Sequence, residues 1–272
     1  MLNLKLFLFF FIELNSGLKN TGYKVYINEI IRTERSEKKY VSAEKNWNII
    51  LEKYLQNGVS EEPSLFNYDR LSRDDGDKRR LNDYIISLQS INPEILNKNE
   101  AITYYANLYN AVTVKLITDS YPIESIRKLG PLNSGPWKRK IIKLNGELVS
   151  LDDIEHKILR SKYRSPYIHY MLNCASISCP NLQKKAWKGE TLKADQQRAA
   201  VEYINSSRGV TIEKDGLHLS SIYKWFKEDF KSDAGVLDHI LKYADKDLKS
   251  AIEQGAKIRS YDYDWTLNDL TD

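Results

Sequence analysis

The chain reads as an α+β protein: a helical N-terminal half packed on an antiparallel sheet with two hairpins, in a single domain. Three observations carry this. From about residue 40 to residue 130 apolar side chains recur at the three- and four-residue spacing of helix faces. Beyond that the period changes, and two apolar runs fold about the pairs Asn145-Gly146 and Asp215-Gly216. Near the end, Ile258, Tyr261, Tyr263 and Trp265 alternate well enough for a final strand.

Taken in order, Trp47, Ile50, Leu51, Tyr54 and Leu55 share one helix face, and Asn57-Gly58 supplies a stop. Tyr68 and Leu71 sit in a polar connection rich in Arg and Asp. Leu81, Tyr84, Ile85 and Leu88 mark a second helix. The strongest helix runs from Glu100 to Asp119, striped by Ile102, Tyr105, Leu108, Tyr109, Val112 and Leu116, and Tyr121-Pro122 ends it. Lys138 to Leu144 and Glu147 to Leu151 form the first hairpin about Asn145-Gly146, where both residues tolerate positive φ. Ser150 then caps a helix reaching to about Arg160. Tyr167 to Leu172 reads as a buried strand, with a short helix as the other reading. Val210 to Lys214 and Leu217 to Leu219 make the second hairpin. Helices follow from Ile222 to Phe230 and from Val236 to about Gln254, the latter broken near Ala244 to Lys246.

Composition excludes several classes. Of 272 residues, 42% are apolar and 29% charged, with 12 Gly and 7 Pro, which argues against disorder and low complexity. Two cysteines cannot build a disulfide scaffold or a four-thiolate zinc site, so neither a metal nor a cofactor is expected. A net charge of +4 is too mild to mark a nucleic-acid binder. No apolar run is long enough for a transmembrane span. Residues 1–17 hold Lys5 followed by the apolar run Leu6 to Ile12, the outline of a signal peptide or simply an apolar leader. The chain is therefore expected to be exported, to the periplasm or beyond, or else cytoplasmic.

The chemistry-bearing residues cluster. His218 and His239 have no notable partner nearby and read as surface or structural imidazoles. Asp152, His156 and Arg160 stand at successive i, i+4 positions, one face that suits an anion, an acid–base pair or a solvated salt bridge. His169, Asn173 and Cys174 lie close together before the small residues Ala175 and Ser176. If Tyr167 to Leu172 is a strand, Cys174 sits at its end, where a thiol is either a nucleophile or a small buried hydrophobe. Cys179, four residues beyond, opens the further readings of a local disulfide or half of a metal couplet. Asn107 and Asn110 are amides on an otherwise apolar helix, placed to brace a loop or to face a ligand.

The helix Tyr104 to Ala111, the stretch Ser134-Gly135-Pro136-Trp137-Lys138-Arg139-Lys140 and the motif Leu151-Asp152-Asp153-Ile154-Glu155-His156 recur here in a specific order. So do Ile168-His169-Tyr170 leading to Asn173-Cys174, Trp225 to Phe230, and Tyr261 to Asn268. In that order they resemble the domain of unknown function 547 family, over a single domain from about residue 40 to 268. The resemblance implies an export signal and a shared polar centre of Asn107, Asn110, Asp152, His156, Arg160, His169, Asn173 and Cys174. It also implies that the cysteine at Cys174 is the regular one and that at Cys179 is incidental. Two functions are then open. One is a cysteine-dependent hydrolase or acyl transferase, with Cys174 as nucleophile and His169 or His156 as base. Asp152 or Asn173 would orient that base, and Asn107 or Asn110 would donate to an oxyanion. The other is a non-catalytic binding or interaction module whose polar centre is structural or holds a small anionic or peptide-like ligand beside Arg160 and His156.

Overall fold

Helix α1, residues 44–54, buries Trp47, Ile50, Leu51 and Tyr54, the face expected from their spacing. The computed structural model describes residues 44–56 and 62–271, all within the unit Tyr40–Asp272. The apolar leader at 1–17 and the stop at Asn57-Gly58 lie outside the described residues. Leu55 leaves the helix for strand β1 (Leu55–Gln56), which pairs antiparallel with β2 (Leu65–Phe66).

The polar connection around Tyr68 and Leu71 is helical: α2, Tyr68–Arg73, starts where the Asn67 side chain accepts from Arg70 N and buries both apolar residues. Helix α3 (Asp75–Gln89) is capped by Asp74, and Lys53 reaches across to Asp74 and Asp77 at 2.8 and 2.5 Å. Helix α4 (Lys98–Ser120) begins with a reciprocal capping box between Asn97 and Glu100. It is the centre of the molecule: from Ala101 to Val114 every residue is buried, Asn107 and Asn110 included. A buried helix face that carries amides must satisfy them internally, and that requirement shapes the site.

The first hairpin joins β3 (Ile142–Leu144) to β4 (Glu147–Val149), and Asn145 and Gly146 take φ of 50° and 90°, the signature of a type I′ turn. Ser150 then caps the next helix by accepting from Asp153 N at 3.1 Å, while the Asp153 carboxylate accepts from Ser150 N at 2.8 Å. This helix, Asp153–Tyr163, is a π-helix, and it closes on Arg164 at φ 46°.

Tyr167 to Leu172 is not a strand. Pro166–Tyr170 is a 3-10 turn, with Ile168 N bonded to Ser165 O and Met171 N to Ile168 O. Ile168, His169, Tyr170, Met171 and Leu172 are all buried, so the run carries no period that separates strand from helix. Helix α5 (Leu192–Ile204), in a stretch with little apolar periodicity, buries Leu192, Ala199, Ala200, Tyr203 and Ile204.

The second hairpin pairs β5 (Val210–Glu213) with β6 (Gly216–Ser220), so Lys214 and Asp215 form the turn and Gly216, at φ 141°, opens the second strand. Helix α6 (Ser221–Trp225), a 3-10 turn (Lys227–Phe230), α7 (Asp233–Tyr243) and α8 (Lys246–Glu253) follow. Their break at Ala244 comes where Asp245 caps α8. Strand β7 (Ile258–Asp262) then joins β6 in parallel, because the intervening helices act as a crossover. The α+β class holds, and both hairpins are antiparallel. The third strand makes its small sheet mixed. Among the described residues no helix is long and apolar enough to cross a membrane.

Candidate functional site

The site is built on a loop that α4 holds by its amides. Asn110 accepts from Asn173 N through Oδ1 and donates through Nδ2 to Met171 O, each at 2.9 Å. Asn107 does the same for Trp187, accepting from its N and donating to its O at 2.9 Å. Asn173 repeats the device within the loop: Oδ1 accepts from Ala175 N and Nδ2 donates to Pro180 O, both at 2.9 Å. One buried side chain thus ties the start of the loop to its end. Ala175 takes φ 60°, and Cys179 N closes a turn on Ser176 O at 3.0 Å.

The outer side of the loop is gripped by the C-terminal segment. Ile177 N donates to Thr266 O at 2.8 Å and Asp264 N to the Ser178 hydroxyl at 2.8 Å. This contact delivers Tyr263, whose hydroxyl lies 3.2 Å from both Cys174 Sγ and Cys179 Sγ. The Ser176 hydroxyl also touches both, at 3.5 and 3.3 Å, and Cys174 N donates to Cys179 Sγ at 2.9 Å. Both thiols are free. The Cys174 thiol donates to its neighbour and is largely shielded from water, and both effects push its pKa well above the ordinary thiol range. Burial also opposes ionisation of Cys179, but donors from Cys174, Ser176 and Tyr263 outweigh it and hold that thiol below the ordinary range.

A second network lies at the same cleft as the thiols. His169 Nε2 is 2.6 Å from Asp229 Oδ2, and Arg160 Nε donates to the same oxygen at 2.6 Å. Burial opposes the charge on Asp229, but the hydrogen bonds from His169 and Arg160 prevail and hold its carboxyl at about 2. Burial lowers the pKa of His169, against the pull of Asp229, so the ring is neutral near pH 7. A neutral ring that donates Nε2–H to a carboxylate keeps a lone pair on Nδ1. The ring stacks on Phe226 with centroids 4.2 Å apart, and the Arg160 guanidinium lies over the Phe226 ring at 4.7 Å. Arg160 also donates to His156 Nδ1 at 3.0 Å, which places the His156 proton on Nε2, 3.4 Å from Asp152 Oδ1.

Both networks open on one cleft of about 680 Å³. Cys174, Cys179, His156, His169, Asp152 and Glu155 line it. Burial raises the pKa of Glu155, whose partner is the Tyr109 hydroxyl. The remaining wall is aromatic: Trp225 stacks on Trp265 at 5.6 Å, and Trp137 meets Trp265 edge-on at 5.5 Å. Gly135, at φ 72°, is needed here because a Cβ would lie 1.9 Å from the Trp137 ring.

Of the residues singled out in the sequence, Cys174, His169, His156 and Asp152 therefore line one cleft. Asn107, Asn110 and Asn173 do not face the cleft; they fasten the backbone behind it. No imidazole lies within hydrogen-bonding distance of Cys174 among the described residues. The group that holds His169 is neither Asp152 nor Asn173 but Asp229, sixty residues away in the chain. Its place in Trp225 to Phe230 is the one sequence signal that could have found it. Cys179 is buried against its neighbour Cys174. His218 does have partners, Asp215 at 2.8 Å and Ser260 at 2.7 Å. His239 stacks on Tyr170 at 5.7 Å, and its buried Nε2 has no partner among the described residues.

Residues 93–204 match the family described as "Protein of unknown function, DUF547". That stretch contains α4, the π-helix, the cysteine loop and α5. Asp229, Tyr263 and the Trp225 to Phe230 and Tyr261 to Asn268 motifs lie beyond it. No curated protein and no solved structure matches the chain.

Proposed function

We propose that this chain, with its DUF547-matching segment, is a thiol-dependent acyl-transfer enzyme, a hydrolase or transferase that works through a cysteinyl thioester. The observation that carries the reading is that Cys174 and the Asp229-held His169 line the same cleft. Cys174 attacks the carbonyl carbon of an acyl donor bound between them, and its proton passes to Nδ1 of His169. Asp229 fixes the tautomer and stabilises the imidazolium that forms. The imidazolium then protonates the leaving group as the tetrahedral carbon collapses to the thioester. Water or an amine, deprotonated by the same ring, releases the acyl group. The mostly aromatic wall favours an apolar or aromatic acyl group, with Lys138 and Arg139 at the same cleft for an acidic end.

One observation favours a second reading. The hydrogen bonds of Cys174 run to Ser176 and Tyr263 rather than to an imidazole, as in a binding cleft without turnover. The test is peptide mapping after brief exposure of the folded chain to p-nitrophenyl butyrate. A butyryl group on Cys174, absent from Cys174→Ser, supports acyl transfer. Butyrylation of lysines alone, equal in both proteins, overturns it.

A further inference from the structure

Cys179 takes no part in the proposed acyl transfer, yet its buried sulfur has three polar neighbours. Its sulfur accepts from Cys174 N at 2.9 Å and lies 3.2 Å from the Tyr263 hydroxyl and 3.3 Å from the Ser176 hydroxyl. The same two hydroxyls reach Cys174 Sγ at 3.2 and 3.5 Å, so the two sulfurs share both hydroxyl neighbours. A core cysteine needs only apolar neighbours. These two are instead held as a pair, because Asn173 clamps both ends of their loop and the turn from Ser176 returns Cys179 to Cys174. Their exposures differ: Cys174 is partly open to the cleft, whereas Cys179 is buried, with 2% of its surface exposed.

We propose that Cys174 and Cys179 are a redox dithiol that closes to an intramolecular disulfide by exchange with a low-molecular-weight disulfide of the glutathione class. Cys174, the accessible sulfur, attacks one sulfur of glutathione disulfide while its proton passes to Cys179. The S–S bond of the reagent breaks and one glutathione thiolate leaves. Cys179 then loses its proton and attacks Cys174 Sγ, forming the protein disulfide and expelling the second glutathione thiolate. Two electrons move from the protein sulfurs to the reagent; Cys179 starts as the thiolate, so the pair carries one proton, which one leaving glutathione thiolate takes up, while the other takes its proton from solvent. The shared hydroxyls and the Cys174 N–H stabilise the thiolate that resolves the mixed disulfide. Closure itself rests on the two sulfurs alone. That it switches off the acyl-transfer site rests on the function proposed above, since the disulfide consumes the nucleophile.

The full chain is equilibrated in glutathione buffers of increasing oxidised fraction, quenched with acid, alkylated and weighed intact. Both alkylatable thiols are expected to vanish together, with no glutathione adduct retained, and dithiothreitol is expected to restore them. Cys179→Ser is expected to stop at a stable glutathione adduct on Cys174. The proposal is overturned if the wild type accumulates that adduct with Cys179 still alkylatable. It is overturned equally if both thiols stay alkylatable in fully oxidised glutathione. The wild-type arm decides the matter even if the variant does not fold. A parallel assay of Cys174 butyrylation separates the two ideas. Exchange without butyrylation of the reduced protein sinks only the acyl-transfer reading, whereas full butyrylation of the oxidised protein sinks the switch.

Discussion

Asp229 Oδ2 accepts from His169 Nε2 and from Arg160 Nε, each at 2.6 Å, and so joins the 3-10 turn after α6 to the turn before the cysteine loop. All three side chains are largely buried, at 15%, 1% and 20% exposure respectively. Removing the carboxylate would leave a guanidinium without its partner in a site that water reaches poorly. Asp229→Ala is expected to cost about 3 kcal/mol in urea unfolding. Asp229→Asn keeps the shape but loses the fixed tautomer, and acylation of Cys174 should fall by about 10² or more. The sign with pH follows from the depressed carboxyl. The stability it contributes is complete above its ordinary value of 3.8 and is lost as pH falls toward about 2. That acid limb should be missing from both variants in pH-dependent unfolding.

His239 gives a pH dependence of the same sign in a higher window. Burial first, then the charge of Lys242, lowers its pKa from 6.5 to about 4, so the folded protein refuses a proton that the unfolded chain accepts. Its contribution to stability is therefore lost as pH falls from 6.5 toward about 4. Glu44, raised to about 7 by burial, works in the other direction over an overlapping range. His239→Phe keeps the aromatic packing and removes the orphan Nε2. It should stabilise the fold by roughly 1–3 kcal/mol, the gain growing as pH falls from 6.5 toward about 4, in thermal or urea unfolding compared with wild type.

The thiols should titrate as a pair. One alkylation by iodoacetamide is expected to begin below the ordinary thiol range and the second well above it, since one proton is shared between the sulfurs. In Cys179→Ser the remaining thiol loses the neighbour whose hydrogen bond raised it. Its alkylation midpoint should move back toward the free value of about 8.5. A Cys174 midpoint unchanged by that substitution would contradict the coupling.

The amides that pin the backbone should matter by position. Asn107→Ala and Asn173→Ala each strand a buried donor and a buried acceptor, costing about 2–4 kcal/mol in urea unfolding. Only Asn173→Ala opens the cysteine loop, so only it should change the alkylation profile at temperatures where both variants are folded.

How far the site was legible follows from the same residues. Helix α4 and both hairpins announce themselves because their signals are local: a capping Asn97, an apolar stripe, an Asn-Gly pair with both residues at positive φ. The run from Tyr167 to Leu172 does not, because burial on every side erases the period. The composition of the cleft was half visible. His156, Asp152, His169 and Cys174 are close in sequence, but Asp229 and Tyr263 arrive from the C-terminal third, brought by a crossover and a strand-like contact that no local pattern encodes. The place of Cys179 against Cys174 is hidden for a related reason: it depends on a loop closed by Asn173, and a clamp of that kind is a three-dimensional fact.

The central claim is that His169, held neutral by burial and oriented by Asp229, takes the proton of Cys174. It is tested most directly by the single-turnover rate of Cys174 butyrylation from p-nitrophenyl butyrate, followed against pH in wild type and His169→Gln. The account predicts a wild-type rate that holds as pH falls past 6.5, because the imidazole stays a base below its ordinary value. It predicts a His169→Gln rate lower by about 10² or more. Equal rates in the two proteins, tracking only the ionisation of the thiols, would contradict it.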